Sequence, residues 1–237
     1  RLAELEEMAR LAIPVVVVQV GMMLFGVVDT MVVGRLSSEA LAAVALGHVA
    51  VITISAFGIG VLLGIDPLLN QALGARDRTA FKRSAQRGFI LAAALMIPST
   101  LFLLPIGAIL ALLGQPAEIV PLAAAYARIS IPGLLPFYGW VVLRLALQAM
   151  ARLKPIVATV IVVNIFNLVA DWALVFGAGP IPQLGPIGSA WASTIARTLL
   201  FVILLVVDRK DLVPLFRFDR EAIRWMPLVR TVRLGLP

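Results

Sequence analysis

Three aspartates lie inside long apolar stretches of this sequence, and their position makes them the residues most suited to chemistry. They are Asp29, Asp66 and Asp171, out of 13 acidic residues in the chain. A charged carboxylate at the centre of a bilayer costs roughly 2.5–3.5 kcal/mol on insertion scales, so acids at such positions usually face a cavity and carry function. The structural alternative for each is protonation or a satisfied contact with a helix neighbour.

Two of these aspartates share one depth. Asp29 and Asp171 each precede the outer end of an apolar stretch by about five residues, roughly 7–8 Å at the helical rise per residue. Ser193 and Thr194 lie a similar short distance inside the last stretch. Carboxylates desolvated side by side can hold a proton near neutral pH, and the same oxygen atoms can instead ligate Na⁺. Spacing alone does not distinguish the two ions.

Helical periodicity places further polar residues on the faces that carry these aspartates. Asn164, Asn167 and Asp171 follow an i, i+3, i+7 pattern and share one helix face. Gln19 shares a face of the first stretch with Asp29. For Asn164, an interhelical hydrogen bond is the alternative to a role as a ligand.

The sequence therefore predicts a proton- or Na⁺-coupling site. Its predicted members are Asp29, Asn167, Asp171, Ser193 and Thr194, with Gln19, Asn164 and Asp66 as secondary candidates. We expect no cofactor besides the coupling ion.

Six apolar stretches must position these residues. The chain has 237 residues, of which 61% are hydrophobic and 14% are charged, whereas a soluble domain is about half apolar and a quarter charged. A membrane helix needs about 20 apolar residues. We predict an all-α integral membrane protein, a six-transmembrane-helix bundle with spans at 11–33, 40–72, 84–112, 119–150, 155–176 and 186–207.

Basic residues set the expected orientation. They cluster after the second, fourth and sixth stretches, and the other three loops hold only Arg35. Because Lys and Arg in short loops mark the cytoplasmic side, we expect a cytoplasmic N-terminus. Topology thus accounts for the net charge of +7, and no nucleic-acid partner is expected. The lipid bilayer is the expected surrounding.

The sequence gives little support for an enzyme. Cysteine is absent and His48 is the single histidine, which argues against thiol nucleophiles and His-built metal sites. The sequence shows no Ser/His/Asp or phosphate-loop constellation. We therefore predict a protein that is not an enzyme.

The end of the chain repeats its beginning. Arg10-Leu11-Ala12-Ile13-Pro14 and Arg233-Leu234-Gly235-Leu236-Pro237 both stand where a cytoplasmic segment would enter the membrane. Transporters are often built from two such halves. We expect a six-helix lobe at 1–207, a cytoplasmic linker at 208–227 and the start of a seventh helix at 228–237. The linker should be an amphipathic helix at the membrane surface or a solvated connection.

Four segments carry a resemblance to a known family. Phe25–Leu36, continued by Leu41–Gly47, resembles the first-span signature of MATE (multidrug and toxic compound extrusion) transporters. Asp66–Ala75 resembles their second-span ending. Asn167–Asp171 and Gly185–Thr194 resemble their fifth- and sixth-span motifs. The order and spacing match over nearly the whole chain.

The resemblance implies a twelve-helix, two-lobe transporter that exports organic cations and other drugs in exchange for H⁺ or Na⁺. It places the chain in the cytoplasmic (inner) membrane as the amino-terminal lobe. Asp29, Asn167 and Asp171 match the cation-site residues of that lobe, so the resemblance implies that these three would hold bound Na⁺. Ser193 stands where the family usually has Thr. Pro14 matches the proline at which the first helix bends in some members, although a proline at a helix start is the alternative.

The missing second lobe would belong to the same polypeptide or to a second copy.

Three other functions compete with drug export. A lipid or polysaccharide flippase of the same superfamily would gain support if Arg128 and Arg197 lined the cavity. A membrane enzyme lacks a catalytic constellation here, and an ion channel lacks a visible re-entrant pore loop.

Overall fold

The computed structural model describes residues 2–180, 182–217, 219–223 and 225–235. Among them, six helical spans are long and apolar enough to cross a membrane. The predicted all-α six-helix membrane bundle is therefore confirmed. The spans are Ala12–Val33, Ser38–Gly74, Arg78–Leu103, Val120–Ala149, Lys154–Phe176 and Pro186–Val207.

The helices are numbered in chain order. They are α1 (Leu2–Val33), α2 (Ser38–Leu63), α3 (Asp66–Gly74), α4 (Arg78–Leu103), α5 (Ile106–Leu112), α6 (Val120–Ala149), α7 (Lys154–Phe176), α8 (Pro186–Val207), α9 (Arg209–Leu212) and α10 (Trp225–Gly235). Two 3-10 segments, Val213–Phe216 and Arg220–Ile223, lie between α9 and α10.

Two predicted spans are each broken into a pair of helices. α2 ends at Leu63 and α3 begins at Asp66 with Pro67 in its first turn, where the missing N–H of proline leaves no hydrogen bond unmade. The third span is interrupted at Pro105, between α4 and α5. Pro14, in contrast, lies inside α1. The alternative of a helix-start proline is therefore wrong, and a bend at Pro14 stays a prediction.

α6 is the central helix of the bundle. It packs against α8, α2 and α4, and α7 packs between α1 and α8. In α6, 67% of the most apolar 18-residue stretch is buried inside the bundle, whereas the corresponding share in the other spans is 28–39%. Gly133 permits the close approach of α8, because a Cβ there would lie 3.2 Å from the Thr194 carbonyl oxygen. α1, α7 and α8 also contact one another, so their side chains can meet at one point.

The segment after α8 is docked on the bundle through α4. Gln86 Nε2 donates to the carbonyl oxygens of Leu215 at 2.9 Å and Arg217 at 2.5 Å, and its Oε1 accepts from Asp219 N at 3.2 Å. Arg83 forms an ion pair with Asp219. The prediction of one amphipathic helix at 208–227 is wrong, since these anchors hold short helical turns against α4.

The division of the chain at residues 207 and 227 stays a prediction. α10 overlaps the start of the predicted seventh helix, and it packs on α2 near Gly64. Arg1, Ile181, Phe218, Arg224, Leu236 and Pro237 lie outside the described residues. The echo of Arg10–Pro14 is therefore described only as far as Gly235.

Candidate functional site

The carboxylate of Asp29 is the point at which three helices converge. Its side chain on α1 is fully buried. Tyr126 of α6 donates its hydroxyl to Asp29 Oδ2 at 2.7 Å. Ser193 of α8 donates to Oδ2 at 2.8 Å and approaches Oδ1 at 3.1 Å. Charge-assisted hydrogen bonds of this kind are about twice as strong as neutral ones, so they hold Asp29 in one place.

α7 adds a second carboxylate beside the first. Asp171 is fully buried, and its polar neighbours are Asp29, Ser189 and Asn167. Neither carboxyl oxygen of Asp171 and neither amide atom of Asn167 has a hydrogen-bond partner within the described part of the chain. Buried polar atoms are nearly always paired. These atoms are therefore available to a proton or a cation, and Asn164 Oδ1 and Ser189 Oγ are likewise without a partner among the described residues.

The neighbouring hydroxyls of α8 have different partners. Ser193 contacts Asp29, whereas Thr194 Oγ1 donates to the carbonyl oxygen of Ile129 on α6 at 3.0 Å. Successive residues of a helix point about 100° apart. The structure thus brings together Asp29, Asn167, Asp171 and Ser193, and it directs Thr194 to a contact between helices. Their role in ion coupling stays a prediction.

The secondary candidates have other surroundings or partners. Gln19 is exposed and lines a cavity. Asn164 donates to Val160 O at 2.8 Å, one turn back in α7, so its amide N–H serves its own helix rather than the predicted contact between helices. Asp66 accepts from Asn70 Nδ2 at 3.2 Å in the first turn of α3, which supports a structural role there.

Sequence reasoning did not select Tyr126, His48 or Ser189. His48 Nδ1 lies 3.3 Å from the Tyr126 hydroxyl and 4.0 Å from Asp29 Oδ2. A Cβ added at Gly26 would lie 2.6 Å from His48 Nε2. The sequence signal that could have identified Tyr126 is a tyrosine within an apolar span, because a buried Tyr hydroxyl usually needs a hydrogen-bond partner.

A cavity of about 380 Å³ lies between α1, α2, α6 and α8. His48 and Gly26 line it beside the Asp29 cluster, and Arg144 and Arg197 also line it. Arg128 is exposed, and its Nε donates to the carbonyl oxygen of Leu104 at 2.9 Å. One of the two arginines named for the flippase alternative therefore lines the cavity, and the other does not.

The described residues contain no group of three or more His, Cys, Asp or Glu side chains suited to a metal ion. A cation at the Asp29 cluster would instead be held by two carboxylates with amide and hydroxyl oxygens. Oxygen ligands of this kind suit hard cations. The donor set is compatible with Na⁺ as the transported ion and equally with a proton.

A comparison with known protein families identifies the family of this chain. The model of the MatE family matches residues 14–173, which carry Asp29, Asn167 and Asp171. The chain belongs to the MatE family. MatE proteins are membrane transporters, so the prediction that the chain is a multi-pass membrane protein and not an enzyme is confirmed.

Individual MatE relatives agree with this assignment. A probable multidrug resistance protein NorM of Synechocystis is 30% identical over 204 residues, covering 86% of this chain and 44% of the relative. A probable NorM of Mesorhizobium japonicum is 31% identical over 241 residues, covering 99% of this chain and 51% of the relative. The chain thus spans about half the length of the curated relatives that it matches.

The fold of one MatE half is also matched by a solved structure. The eukaryotic MATE transporter AtDTX14 superposes with a TM-score of 0.86 at 24% identity, covering 99% of this chain and 52% of the other. The arrangement of the helices around Asp29 is therefore that of one half of a MatE transporter.

Proposed function

We propose that the chain is the amino-terminal lobe of a cation-coupled multidrug exporter, in which H⁺ or Na⁺ binding at Asp29 and Asp171 drives alternating access. The observation that carries this proposal is the pair of fully buried carboxylates on α1 and α7, of which Asp171 has no hydrogen-bond partner among the described residues. The names of the NorM relatives support drugs as the substrate class.

The cluster supplies a physical link between ion binding and helix packing. Asp29 is held by residues of α6 and α8, and Asp171 belongs to α7. Neutralising one carboxylate removes its repulsion of the other and changes the packing of these helices against α1. A ligand that binds one packing better than the other then shifts the population toward it.

The proposal includes the setting of the lobe. The protein lies in the cytoplasmic membrane with a cytoplasmic N-terminus, as the positions of its basic residues favour. Residues 208–227 are the linker between lobes, and 228–237 begin the seventh helix. The second lobe is part of the same polypeptide or a second copy, and drugs pass between the two lobes.

Ion-coupled drug efflux by the full-length gene product tests the proposal. We expect Asp29→Asn and Asp171→Asn each to abolish uptake of a fluorescent organic cation into inverted vesicles under an imposed H⁺ or Na⁺ gradient. Asp66→Asn is the matched control, because Asp66 starts α3 outside the cluster, and it should retain transport. Normal coupled transport by both Asp29→Asn and Asp171→Asn would contradict the site.

A flippase for lipids or polysaccharides is the alternative function. It is favoured by the presence of Arg197 and Arg144 in the cavity, since anionic headgroups need cationic partners. A lipid-flipping assay run beside the cation-efflux assay on the same vesicles distinguishes the two. Flipping without cation efflux would replace the exporter by the flippase.

A further inference from the structure

A second cavity lies at the end of the bundle that carries the basic loops. It is formed where α3 passes into α4, beside the end of α6 and the segment after α8. Its volume of about 650 Å³ lies in the range of cavities that hold small ligands. It shares no lining residue with the cavity between α1, α2, α6 and α8, so it is a separate place for a ligand.

Four basic side chains line this second cavity. Arg76 belongs to the turn between α3 and α4, Arg78 and Lys82 to the first turns of α4, and Lys210 to α9. Within the described part of the chain, none of these four side chains forms an ion pair or a hydrogen bond. Lys82 attracts Asp219 only at a distance. The cavity thus presents four positive groups without direct partners.

The two acidic residues of the lining are already engaged. Asp77 caps α4, and its Oδ1 accepts from the backbone N–H groups of Thr79 and Ala80 at 2.9 Å each. Asp211 forms an ion pair with Arg152, which does not line the cavity. The four basic side chains therefore keep an excess of positive charge, and the lining favours an anion.

The turn between α3 and α4 does not itself require a charged side chain. Arg76 has a φ of 55°, a left-handed conformation that glycine adopts without steric cost. Ala151 has the same φ in the turn between α6 and α7, so a small neutral residue also fits a turn of this kind. The charge of Arg76 is therefore free to serve a ligand.

The level of the cavity in the bundle favours a lipid over a soluble anion. The second span ends at Gly74, the third begins at Arg78 and the sixth ends at Val207, so the basic side chains lie where the spans leave the membrane. Basic pockets between membrane helices at this level suit anionic lipid headgroups. The other lining residues are apolar, as acyl chains require, and they are Ala72, Leu73, Phe81, Met150, Pro214 and Leu215.

We propose that this cavity binds one anionic phospholipid, whose headgroup phosphate is held by the four basic side chains. The lipid comes from the adjacent leaflet, which is the cytoplasmic leaflet in the orientation proposed above. It is a bound component of the protein and not a transported substrate. The inference therefore goes beyond the exporter proposal and depends only on the location of the six spans in a membrane. The bound lipid joins the turn between α3 and α4 to α9, and it stabilises the folded protein by mass action.

Native mass spectrometry of the full-length gene product in detergent, titrated with phosphatidylglycerol, tests the site. We expect Arg78→Gln and Lys210→Gln each to weaken the tightest lipid binding about fivefold, the size of the attraction between one basic side chain and anionic lipid. Arg76→Gly should weaken it as well, although glycine suits the backbone conformation there.

A variant of opposite sign guards against misfolding as the cause of a loss. Asparagine caps helices as well as aspartate does, so Asp77→Asn keeps the cap of α4 and removes a negative charge from the lining. We expect it to bind phosphatidylglycerol more tightly than the parent protein. Weaker binding by Asp77→Asn, with unchanged thermal stability in the absence of lipid, would overturn the site.

The matched control is Arg209→Gln. Arg209 is exposed and adjacent to Lys210 but does not line the cavity, so this variant should bind phosphatidylglycerol normally. Equal weakening by Arg209→Gln and Lys210→Gln would overturn the site in favour of a general attraction of the basic loops for anionic lipid. Equally tight binding of phosphatidylcholine would exclude recognition of the negative charge. Displacement of the lipid by glycerol 3-phosphate at equal concentration would overturn the site in favour of a soluble phosphate compound.

Discussion

Asp29 and Tyr126 are 97 residues apart in the sequence and are joined by a hydrogen bond of 2.7 Å. Neither side chain is exposed. A buried carboxylate depends on such donors, because it has lost its water and has no other source of them. The bond therefore ties the geometry of the proposed ion site to the packing of α6 against α1.

We expect Tyr126→Phe to weaken both stability and ion coupling. Loss of one partner of a buried charged group costs about 1–3 kcal/mol, and Asp29 would lose its contact with α6. Thermal unfolding in detergent and ion-driven efflux measure the two effects. Tyr138→Phe is the matched control, since the Tyr138 hydroxyl is also buried but contacts Ser99 at 3.1 Å. Its variant should lose stability and keep coupling; equal coupling defects in both would contradict a special role for Tyr126.

The adjacent hydroxyls of α8 offer a second comparison. Ser193→Ala removes one of the two hydroxyl donors to Asp29, so we expect the ion concentration for half-maximal efflux to change. Thr194→Val removes a donor to Ile129 O, so we expect loss of about 1 kcal/mol of stability and an unchanged ion dependence. Efflux measured against a range of pH and Na⁺ concentrations checks both variants. The opposite outcome would assign the family hydroxyl to Thr194.

The close contact of Gly26 with His48 predicts a steric effect. A methyl group at Gly26 would clash with the imidazole, so we expect Gly26→Ala to displace His48 from Tyr126 and to lower thermal stability. Gly60→Ala on α2 is the control, because a Cβ there meets nothing within 4 Å. That substitution should stabilise the protein by about 0.4–1 kcal/mol through the unfolded chain. Unchanged melting of Gly26→Ala would show that His48 moves aside freely.

The docked segment after α8 should loosen in acid. Arg83 Nε donates to Asp219 at 2.8 Å, and this bond holds the pKa of Asp219 below its usual value. A carboxyl with a lowered pKa stabilises the folded form above its ordinary pKa and loses that contribution as pH falls through the folded value. We therefore expect the segment to become mobile as the pH falls below the ordinary range of an aspartate.

The absence of cysteine makes this prediction convenient to measure. A nitroxide on Ile223→Cys, an exposed position in the segment, reports mobility by electron paramagnetic resonance. Asp219→Asn should raise mobility at neutral pH and remove most of the change between neutral and acid pH. A spectrum that is the same at both pH values in the parent protein would show that Gln86 alone holds the segment.

Much of this architecture follows from the sequence alone. The six spans follow from apolar length, and the prediction that Asp29 and Asp171 lie at one depth follows from counting residues along a helix of known rise. The face common to Asn167 and Asp171 follows from helical period alone. Each of these properties depends on one helix at a time, which is why the sequence by itself determined them.

The tertiary structure decided which side chains meet across helices. It selected Ser193 over Thr194 as the partner of Asp29, brought in Tyr126 and His48, and placed Arg197 but not Arg128 in the cavity. These outcomes depend on how far each helix is rotated about its axis and on where its neighbours approach closely. If a helix is rotated by about 100° about its axis, the next residue takes the position of the previous one at the contact. Local sequence patterns do not specify that rotation.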